Sequence, residues 1–278
     1  MVNLSENEKI EIDLLLDAIY LKYGYDFRNY ARASIRRRII NQLSKFRLKT
    51  ISEMQHKLLN DRAFFDRLLM YLTVTVTEMF RDPSFFKALR EVVMPELKKQ
   101  PIIKIWHAGC SSGEEVYSLA ILLKEEGVDE NVMIYATDAN EVVLRKAKEG
   151  VFPIDKMKDF TRNYINAGGL ESFADYYTAK YDYAIMDNSL KKNIVFSDHN
   201  MATDSVFGEM DLILCRNVLI YFNKELQGRV FKLFWESLHP RGFLCLGTKE
   251  TLRFSTYSHD FKTVVEGEKI YRIKRLQG

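Results

Sequence analysis

The chain has 278 residues, a hydrophobic content of 47% and a formal net charge of +3, from 41 basic and 38 acidic side chains. This composition suits a globular protein of one large or two unequal domains, and it excludes a strongly polycationic or polyanionic chain. Cys110, Cys215 and Cys245 are too few and too scattered for a disulfide framework or a zinc cluster. We therefore expect a reducing cytoplasm and no metal.

Secretion, membrane insertion and nucleic-acid binding are all unexpected. The first residues lack a basic start followed by an apolar core, and no apolar run approaches about 18 residues. The small net charge and the lack of a base-stacking motif argue against a nucleic-acid partner. We expect a cytoplasmic monomer.

Residues 1–72 are predicted to form a small all-helical domain. Ser5 and Glu8 have the spacing of a capping box, and apolar residues then follow helical spacing from Ile10 to Ile19. A second helix carries Ile35 and Ile39 beside a row of basic residues: Arg28, Arg32, Arg36, Arg37, Arg38, Lys45 and Arg47. A third helix contains an apolar group: Phe64, Phe65, Leu68, Leu69 and Leu72.

Residues 73–100 are predicted to link this domain to the next. The sequence TVTVT favours an extended segment because it is rich in threonine and valine. Asp82-Pro83 then has the pattern of a helix start, with an acid at the N-cap and proline at the first helical position. The helix is expected to run to about Lys99.

Residues 101–278 are predicted to form an α/β domain with a Rossmann-like, mostly parallel sheet. Four buried-strand candidates, IIKIWHA, VMIYATD, MDLILCRN and GFLCLG, alternate with three helix candidates. FKTVV and KIYRIKR lie close together, so the sheet is expected to end in an antiparallel hairpin. Residues 151–200 break the alternation and suggest a small edge insertion, with short strands near Tyr181–Met186 and Ile194–Phe196.

The turn after the first strand is the first candidate site. Gly109 and Gly113 flank it, and an open α/β sheet binds nucleotides at this position. Asp138 ends the second strand, where an acid can accept hydrogen bonds from both ribose hydroxyls. The alternatives are an ordinary strand–helix turn and, for Asp138, an N-cap, with Asn140 as a competing cap.

Arg216-Asn217 forms a second candidate site, because it follows the third strand at the same expected edge. The alternative there is a cap plus a surface arginine. A rival interpretation of residues 109–113 is the G-x-S-x-G nucleophile elbow of a serine hydrolase, with Ser111 attacking and His239 or His259 as partner. Only helices precede this turn, and no HGGG-type run supplies oxyanion donors, which argues against a hydrolase.

The sequence resembles the CheR-type chemotaxis receptor methyltransferases over almost its whole length. The matching segments are TVTVTEMFRDPSFF, IWHAGCSSGEEVYSLA, YATDAN, FSDHN, DLILCRNVLIYF and LCLGTKE. The resemblance implies a protein-glutamate O-methyltransferase that uses S-adenosylmethionine and releases S-adenosylhomocysteine. Its implied partner is an acidic helix of a membrane chemoreceptor's cytoplasmic domain.

The resemblance also implies a set of cofactor contacts: Thr75, Thr77, Arg81, Gly109, Glu115, Asp138, Asn200, Met201, Arg216 and Asn217. Tyr221 is implied as an active-site tyrosine near the transferred methyl, and Arg81 is our candidate to hold the incoming carboxylate by a charge-assisted fork. Thr75 stands where some members have asparagine. The insertion does not align well with the subdomain that docks a receptor peptide in some members, so the sequence gives no support for peptide docking and leaves it open.

The basic helix then acquires a candidate role in substrate binding, through Arg32, Arg36, Arg37 and Arg38. The alternative is a solvated arginine face, or arginines paired with acids of the same chain. Three function classes remain open at this stage: a protein-glutamate methyltransferase, a non-catalytic cofactor-binding module of the same fold, and the serine hydrolase.

Overall fold

A computed structural model describes residues 6–73 and 77–274. The chain divides into two compact units. The first, the helical unit, comprises Met1–Thr75 and Ile220–Arg229, and the second, the sheet unit, comprises Val76–Leu219 and Val230–Gly278.

The helical unit contains four N-terminal helices: α1 (Glu6–Tyr23), α2 (Arg32–Lys45), α3 (Ile51–Asn60) and α4 (Arg62–Leu72). Their apolar faces form one buried cluster. The sequence predicted three helices and missed α3. Two caps define it: Thr50 accepts a hydrogen bond from the amide of Glu53, and Asp61 then accepts from the amide of Phe64 to start α4. Ser5, the first residue of the proposed capping box, lies outside the described residues.

The linking segment becomes helical at Pro83, as predicted. It contains α5 (Pro83–Ala88), a π-helical turn (Leu89–Val93) and α6 (Met94–Leu97). Asp82 stands at the N-cap position, as predicted, but its side chain does not cap the helix. Asp82 has a left-handed backbone with φ of 54° and makes no capping hydrogen bond, because its carboxylate pairs with an arginine from another part of the unit.

The remaining helices and the strands follow in alternation. The helices are α7 (Glu114–Glu125), α8 (Glu141–Glu149), α9 (Met157–Asn166) and α10 (Lys224–Ser237). The strands are β1 (Ile103–Ala108), β2 (Val132–Asp138), β3 (Val151–Pro153), β4 (Tyr177–Lys180), β5 (Tyr183–Met186), β6 (Ile194–Asp198), β7 (Met210–Cys215), β8 (Leu238–Leu246), β9 (Phe261–Val265) and β10 (Ile270–Ile273).

Seven strands form the main sheet, in the order β6-β2-β1-β7-β8-β10-β9. The first five are parallel, with Ile105 of β1 opposite Ile134 of β2 and Leu212 of β7. β10 runs antiparallel to both β8 and β9, so the predicted C-terminal hairpin is confirmed. The central strands are almost wholly buried, as expected of parallel strands covered on both faces. The Rossmann-like α/β expectation is therefore confirmed.

The insertion forms a small three-stranded antiparallel sheet in the order β3-β5-β4. The sequence assigned β6 to this insertion, but β6 pairs in parallel with β2 and forms the edge of the main sheet. Among the described residues, no helix has the length and apolar character needed to cross a bilayer.

Candidate cofactor and active site

The carboxyl ends of β1, β2, β7 and β8 meet at one edge of the main sheet, because these strands are parallel neighbours. We call this the strand-end edge. Open α/β sheets bind their ligands outside the carboxyl ends of the strands. The loops that follow these four strands therefore define the candidate site.

Two glycines shape the loop between β1 and α7. Gly109 has φ of +80°, and a Cβ there would lie 2.7 Å from Cγ2 of Val218. Gly113 has φ of +94°, and a Cβ there would lie 3.0 Å from Cβ of Ala147 on α8. Ser111 between them also has a positive φ, of 51°. The loop is thus a tight left-handed turn that side chains at the two glycine positions would disrupt.

Asp138, at the end of β2, braces this turn. Its Oδ2 accepts a hydrogen bond from the amide of Ser111 at 2.9 Å, and its Oδ1 accepts from the amide of Asn140 at 2.9 Å. Burial raises the pKa of Asp138, and these amide donors oppose that rise. Asn140, not Asp138, caps α8, by accepting from the amide of Val142. A carboxylate offers about four acceptor positions, so Asp138 keeps capacity for further donors.

Arg216 follows β7 and is the centre of a buried charge cluster. Its Nη1 donates to Oε2 of Glu115 at 2.6 Å, and its Nη2 donates to Oδ2 of Asp82 at 2.7 Å. The guanidinium also lies over the ring of Phe85, 3.9 Å from its centroid. The Arg216 side chain is 1% exposed. The arginine therefore ties the α7 start and the Asp82 loop to the strand-end edge.

Glu115 is held in its charged form by this cluster. Its second oxygen, Oε1, lies 3.1 Å from Nε2 of the buried His107. Burial acts to raise the pKa of Glu115, but the Arg216 guanidinium and His107 outweigh it, and the net pKa lies below its usual range. Within this buried cluster, Arg216 is the cation that pairs with Glu115.

Arg81 also acts on this cluster through its positive charge, which helps to lower the pKa of Glu115. The backbone carbonyl of Arg81 accepts from Nη1 of Arg216 at 3.3 Å, which places the residue beside the cluster. Within residues 6–73 and 77–274, no hydrogen bond or ion pair engages its side chain, which is partly exposed. Left-handed backbone at Phe80 and Asp82 surrounds it, and such strain concentrates at functional sites.

Asn200 and Met201 follow β6, which pairs with β2 so that Asp198 lies opposite Asp138. The Asn200 side chain accepts from the amide of Ala202 at 3.0 Å, and Met201 is buried. Both therefore lie next to the end of the Asp138 strand. Thr77 is described and partly exposed, whereas Thr75 lies outside the described residues.

Comparison with known protein families identifies the family of this chain and its cofactor. The pattern described as CheR methyltransferase, SAM binding domain, matches residues 75–269, and the pattern described as CheR methyltransferase, all-alpha domain, matches residues 10–73. The chain belongs to the CheR methyltransferase family. Its cofactor is S-adenosylmethionine, and its sheet unit is the domain that binds it.

Relatives match this CheR chain over most of its length. A protein of Pseudomonas putida named Cher3 is 55% identical over 266 residues, which cover 96% of this chain and 97% of the relative. A chemotaxis protein methyltransferase of Listeria monocytogenes is 31% identical over 231 residues, covering 82% of this chain and 85% of the relative.

The serine hydrolase alternative fails on geometry as well as on family. The Ser111 Oγ is buried and has no hydrogen-bond partner in the part of the chain that the structure describes, so no histidine there activates it. His239 accepts from the amide of Arg241, and the backbone of His259 accepts from Lys274. In the CheR fold this serine belongs to the glycine turn.

The basic residues of α2 are arranged unequally within the helical unit. Arg32 pairs with Asp13, and Arg36 pairs with Glu8 at 2.6 Å. Arg37 is exposed. Arg38 is buried, donates to the carbonyl of Leu72 and stacks on the ring of Tyr221 at 4.5 Å. Arg38 therefore does not lie on the exposed surface, and we remove it from the predicted substrate-binding face.

Tyr221 belongs to the helical unit, where its carbonyl also accepts from the amide of Ala31 at 2.7 Å. Its role near the transferred methyl stays a prediction.

One residue of the strand-end edge was not predicted from the sequence. Glu250, in the loop after β8, is buried and accepts hydrogen bonds from the amides of Asn217, Val218, Leu219 and Gly247. The available signal was an acid three positions after Gly247, the glycine that ends a buried strand. Asn217, predicted as a cofactor contact, has a left-handed backbone held by this carboxylate.

Proposed function

We propose that this CheR methyltransferase transfers the methyl group of S-adenosylmethionine to glutamate side chains on acidic helices of chemoreceptor-like proteins in the cytoplasm. The observation that carries the proposal is Arg81, whose guanidinium makes no hydrogen bond or ion pair among the described residues and lies beside a cluster whose charges are paired. An unpaired cation at the strand-end edge suits an acceptor that is itself an anion. Three buried free cysteines suit a reducing compartment.

The residues at the strand-end edge fit the cofactor. The absence of a Cβ at Gly109 lets Val218 pack closely against the turn, and the buried Ser111 Oγ has no hydrogen-bond partner among the described residues. Asp138 retains acceptor capacity for the ribose hydroxyls. Asn200 and Met201 adjoin this acid and are proposed for the adenine side, whereas Thr77, Glu115 and Arg216 are proposed for the methionine side.

The chemistry requires orientation rather than a strong base. When bound, the cofactor supplies a methyl group on a positively charged sulfur, and attack by a carboxylate oxygen forms the ester while the carbon–sulfur bond breaks and sulfur keeps the electron pair. A glutamate carboxylate is already ionised at neutral pH, since its reference pKa is about 4.3. We assign to Arg81 the alignment of that carboxylate, and to the Arg216 cluster the rigidity of the loop that carries Arg81.

The helical unit supplies a candidate surface for the acidic partner. Arg37 is exposed on α2, while Arg32 and Arg36 are partly exposed and already paired with Asp13 and Glu8. Complementary charge raises association rates and fixes the register of a complex. We propose Arg37 as the main contact, with Arg32 and Arg36 able to exchange partners.

The direct test is methyl transfer to a receptor fragment. The chain is incubated with methyl-labelled S-adenosylmethionine and a soluble chemoreceptor cytoplasmic fragment that carries acidic helices. We expect label on the fragment that mild base releases as methanol, because carboxyl methyl esters are base-labile. A fragment whose candidate glutamates are changed to glutamine is the matched control and should stay unlabelled.

Two outcomes would contradict the proposal in different ways. Base-stable label would mean that another side chain is methylated. Tight cofactor binding in calorimetry without transfer to any receptor fragment would favour a non-catalytic regulatory module of the same fold.

A further inference from the structure

Glu250 occupies an unusual position among the buried carboxylates of the sheet unit. Its Oε1 accepts from the amides of Val218 and Leu219 at 2.8 and 2.7 Å, and its Oε2 accepts from the amides of Asn217 and Gly247 at 3.0 and 2.6 Å. The residue is 4% exposed. No cation pairs with it among the described residues; burial raises its pKa, and the four backbone amides, which favour the ionised form, oppose that rise.

These four amides belong to the two loops that follow β7 and β8. Asn217 has φ of 61°, a left-handed conformation that residues other than glycine adopt less readily and that is held in place by its surroundings. Hydrogen bonds to an ionised acceptor are about twice as strong as neutral ones and can hold this conformation. A Cβ at Gly247 would lie 2.8 Å from the amide nitrogen of Asn217. Gly247 and Glu250 together form a close-fitting cradle for residues 217–219.

The cradle is connected to the cofactor site on both sides. Asn217 directly follows Arg216, whose guanidinium joins Glu115 and Asp82. Val218 packs on the glycine turn, since its Cγ2 would lie 2.7 Å from a Cβ at Gly109. A shift of residues 217–219 would therefore move both the arginine cluster and the wall against which the glycine turn rests.

We propose that Glu250 is a positioning residue for the cofactor site, which acts through the backbone of residues 217–219 and does not touch the cofactor. The proposal rests on cofactor binding by the sheet unit and not on the identity of the methyl acceptor. Its failure is therefore distinguishable from failure of the proposed glutamate substrate.

A purely structural role is the alternative, and Glu125 provides a matched control. Glu125 is also a buried carboxylate of the sheet unit, with a side chain 1% exposed. It pairs with Arg90 at 2.5 Å and accepts from Tyr164 and Tyr176, so it joins α7 to the insertion rather than to the strand-end edge. Loss of its charge should lower stability without changing the cofactor site.

The experiment compares Glu250→Gln with Glu125→Gln by calorimetric titration with S-adenosylhomocysteine and by thermal denaturation. Glutamine keeps the size of the side chain but turns an NH2 group toward two backbone amides that need an acceptor. We expect roughly tenfold or greater weakening of binding for Glu250→Gln, because charge-assisted hydrogen bonds are lost. Glu125→Gln should lower the melting temperature and leave the affinity unchanged. Glu250→Asp, which keeps the charge, should bind better than Glu250→Gln.

Several results would overturn the proposal. Unchanged affinity in folded Glu250→Gln would do so, as would equal weakening in Glu125→Gln. If Glu250→Gln does not fold, Gly247→Ala tests the same cradle, because its Cβ would displace the Asn217 amide and should also weaken binding. If Glu250→Gln, Glu250→Asp and Gly247→Ala all fail to fold, the cradle serves folding and the proposal is wrong.

Discussion

The arginines of the helical unit and those of the sheet unit differ in their burial and in their ion-pair partners. On α2, Arg32 and Arg36 pair with acids at partly exposed positions, where such pairs contribute about 0–1 kcal/mol. In the sheet unit, Arg216 is buried between two carboxylates, while Arg81 has no pairing among the described residues. The number of arginines in a segment therefore does not show which of them can bind another molecule. That depends on where acidic side chains of the same chain lie in the fold. The predictions below test this contrast.

Removal of Arg216 should have the largest effect. Arg216→Ala leaves the buried Glu115 and the half-buried Asp82 without their cation, and breaking a buried ion pair in this way costs about 3–5 kcal/mol. We expect a loss of this size in the free energy of unfolding, measured by urea denaturation. Arg36→Ala is the comparison and should cost about 1 kcal/mol or less. Equal losses for the two variants would remove the contrast between the units.

Arg81 should show the opposite signature, with a large kinetic effect and little change in stability. Arg81→Ala should lower kcat about 100-fold if the acceptor carboxylate loses its alignment, with an unchanged melting temperature and nearly normal cofactor affinity. Arg81→Lys separates charge from shape, because lysine keeps the charge but lacks the planar fork. A normal rate in the lysine variant would show that Arg81 acts only as a positive charge.

Glu114 offers a test of burial for a carboxyl that makes no ion pair among the described residues. It begins α7, accepts a hydrogen bond from Ser112 Oγ at 2.7 Å, and burial raises its pKa from 4.5 to about 7. The folded state thus binds this proton more tightly than the unfolded state. The resulting stabilisation is present below about pH 4.5 and is lost as pH rises through about 7.

The expected change from this group is up to roughly 3 kcal/mol across that window. Denaturation of Glu114→Gln at acidic and at mildly alkaline pH should show a smaller decline in stability than the unmodified chain shows. Glu141→Gln, at an exposed position of α8, is the control and should retain the original decline. The same pH dependence in all three proteins would exclude Glu114 as its source.

Asp138 should influence the cofactor more than the fold. Asp138→Asn keeps one acceptor oxygen for the turn but removes the charge, and we expect binding of S-adenosylhomocysteine to weaken by roughly 1.5–3 kcal/mol. Asp198→Asn is the control and should leave the affinity unchanged, because Asp198 lies opposite Asp138 on the neighbouring strand and is exposed. Calorimetry that finds normal affinity for Asp138→Asn would exclude this acid from the cofactor site.

Local patterns predicted most of the fold. The alternation of apolar strands and amphipathic helices from β1 to β10 is readable within short windows, and the glycine turn with Asp138 follows from it. β6 was misassigned because a five-residue strand carries little periodic signal, and its pairing with β2 is a long-range choice.

The site was predicted less completely because its contacts also join residues that are far apart in sequence. Arg216 was identified as a polar residue at a strand end, but its partners, Glu115 and Asp82, lie 101 and 134 positions away in sequence. Glu250 was missed because its partners are backbone amides. Almost every residue type has such an amide, so the sequence does not show which ones donate to this carboxylate. Arg38 was assigned to the surface because a run of arginines does not reveal which one faces the core.

Arg37 carries the smallest and most specific prediction. It is exposed on α2 and has no ion pair among the described residues, whereas its neighbours Arg36 and Arg38 are engaged within the helical unit. Arg37→Glu should therefore leave the melting temperature and cofactor affinity unchanged. It should lower kcat/KM toward an acidic receptor fragment by a few-fold at low salt, because long-range attraction speeds association.

Salt provides the internal control for this effect. Screening shortens the range of charge attraction to about 8 Å at physiological ionic strength and about 3 Å at 1 M, so the difference between Arg37→Glu and the unmodified chain should shrink as salt is added. Arg36→Glu should behave differently, because it places a second acid beside Glu8 and should also lower stability. A salt-independent loss in Arg37→Glu, or no loss at all, would mean that α2 does not attract the receptor and that its arginines serve only the helical unit.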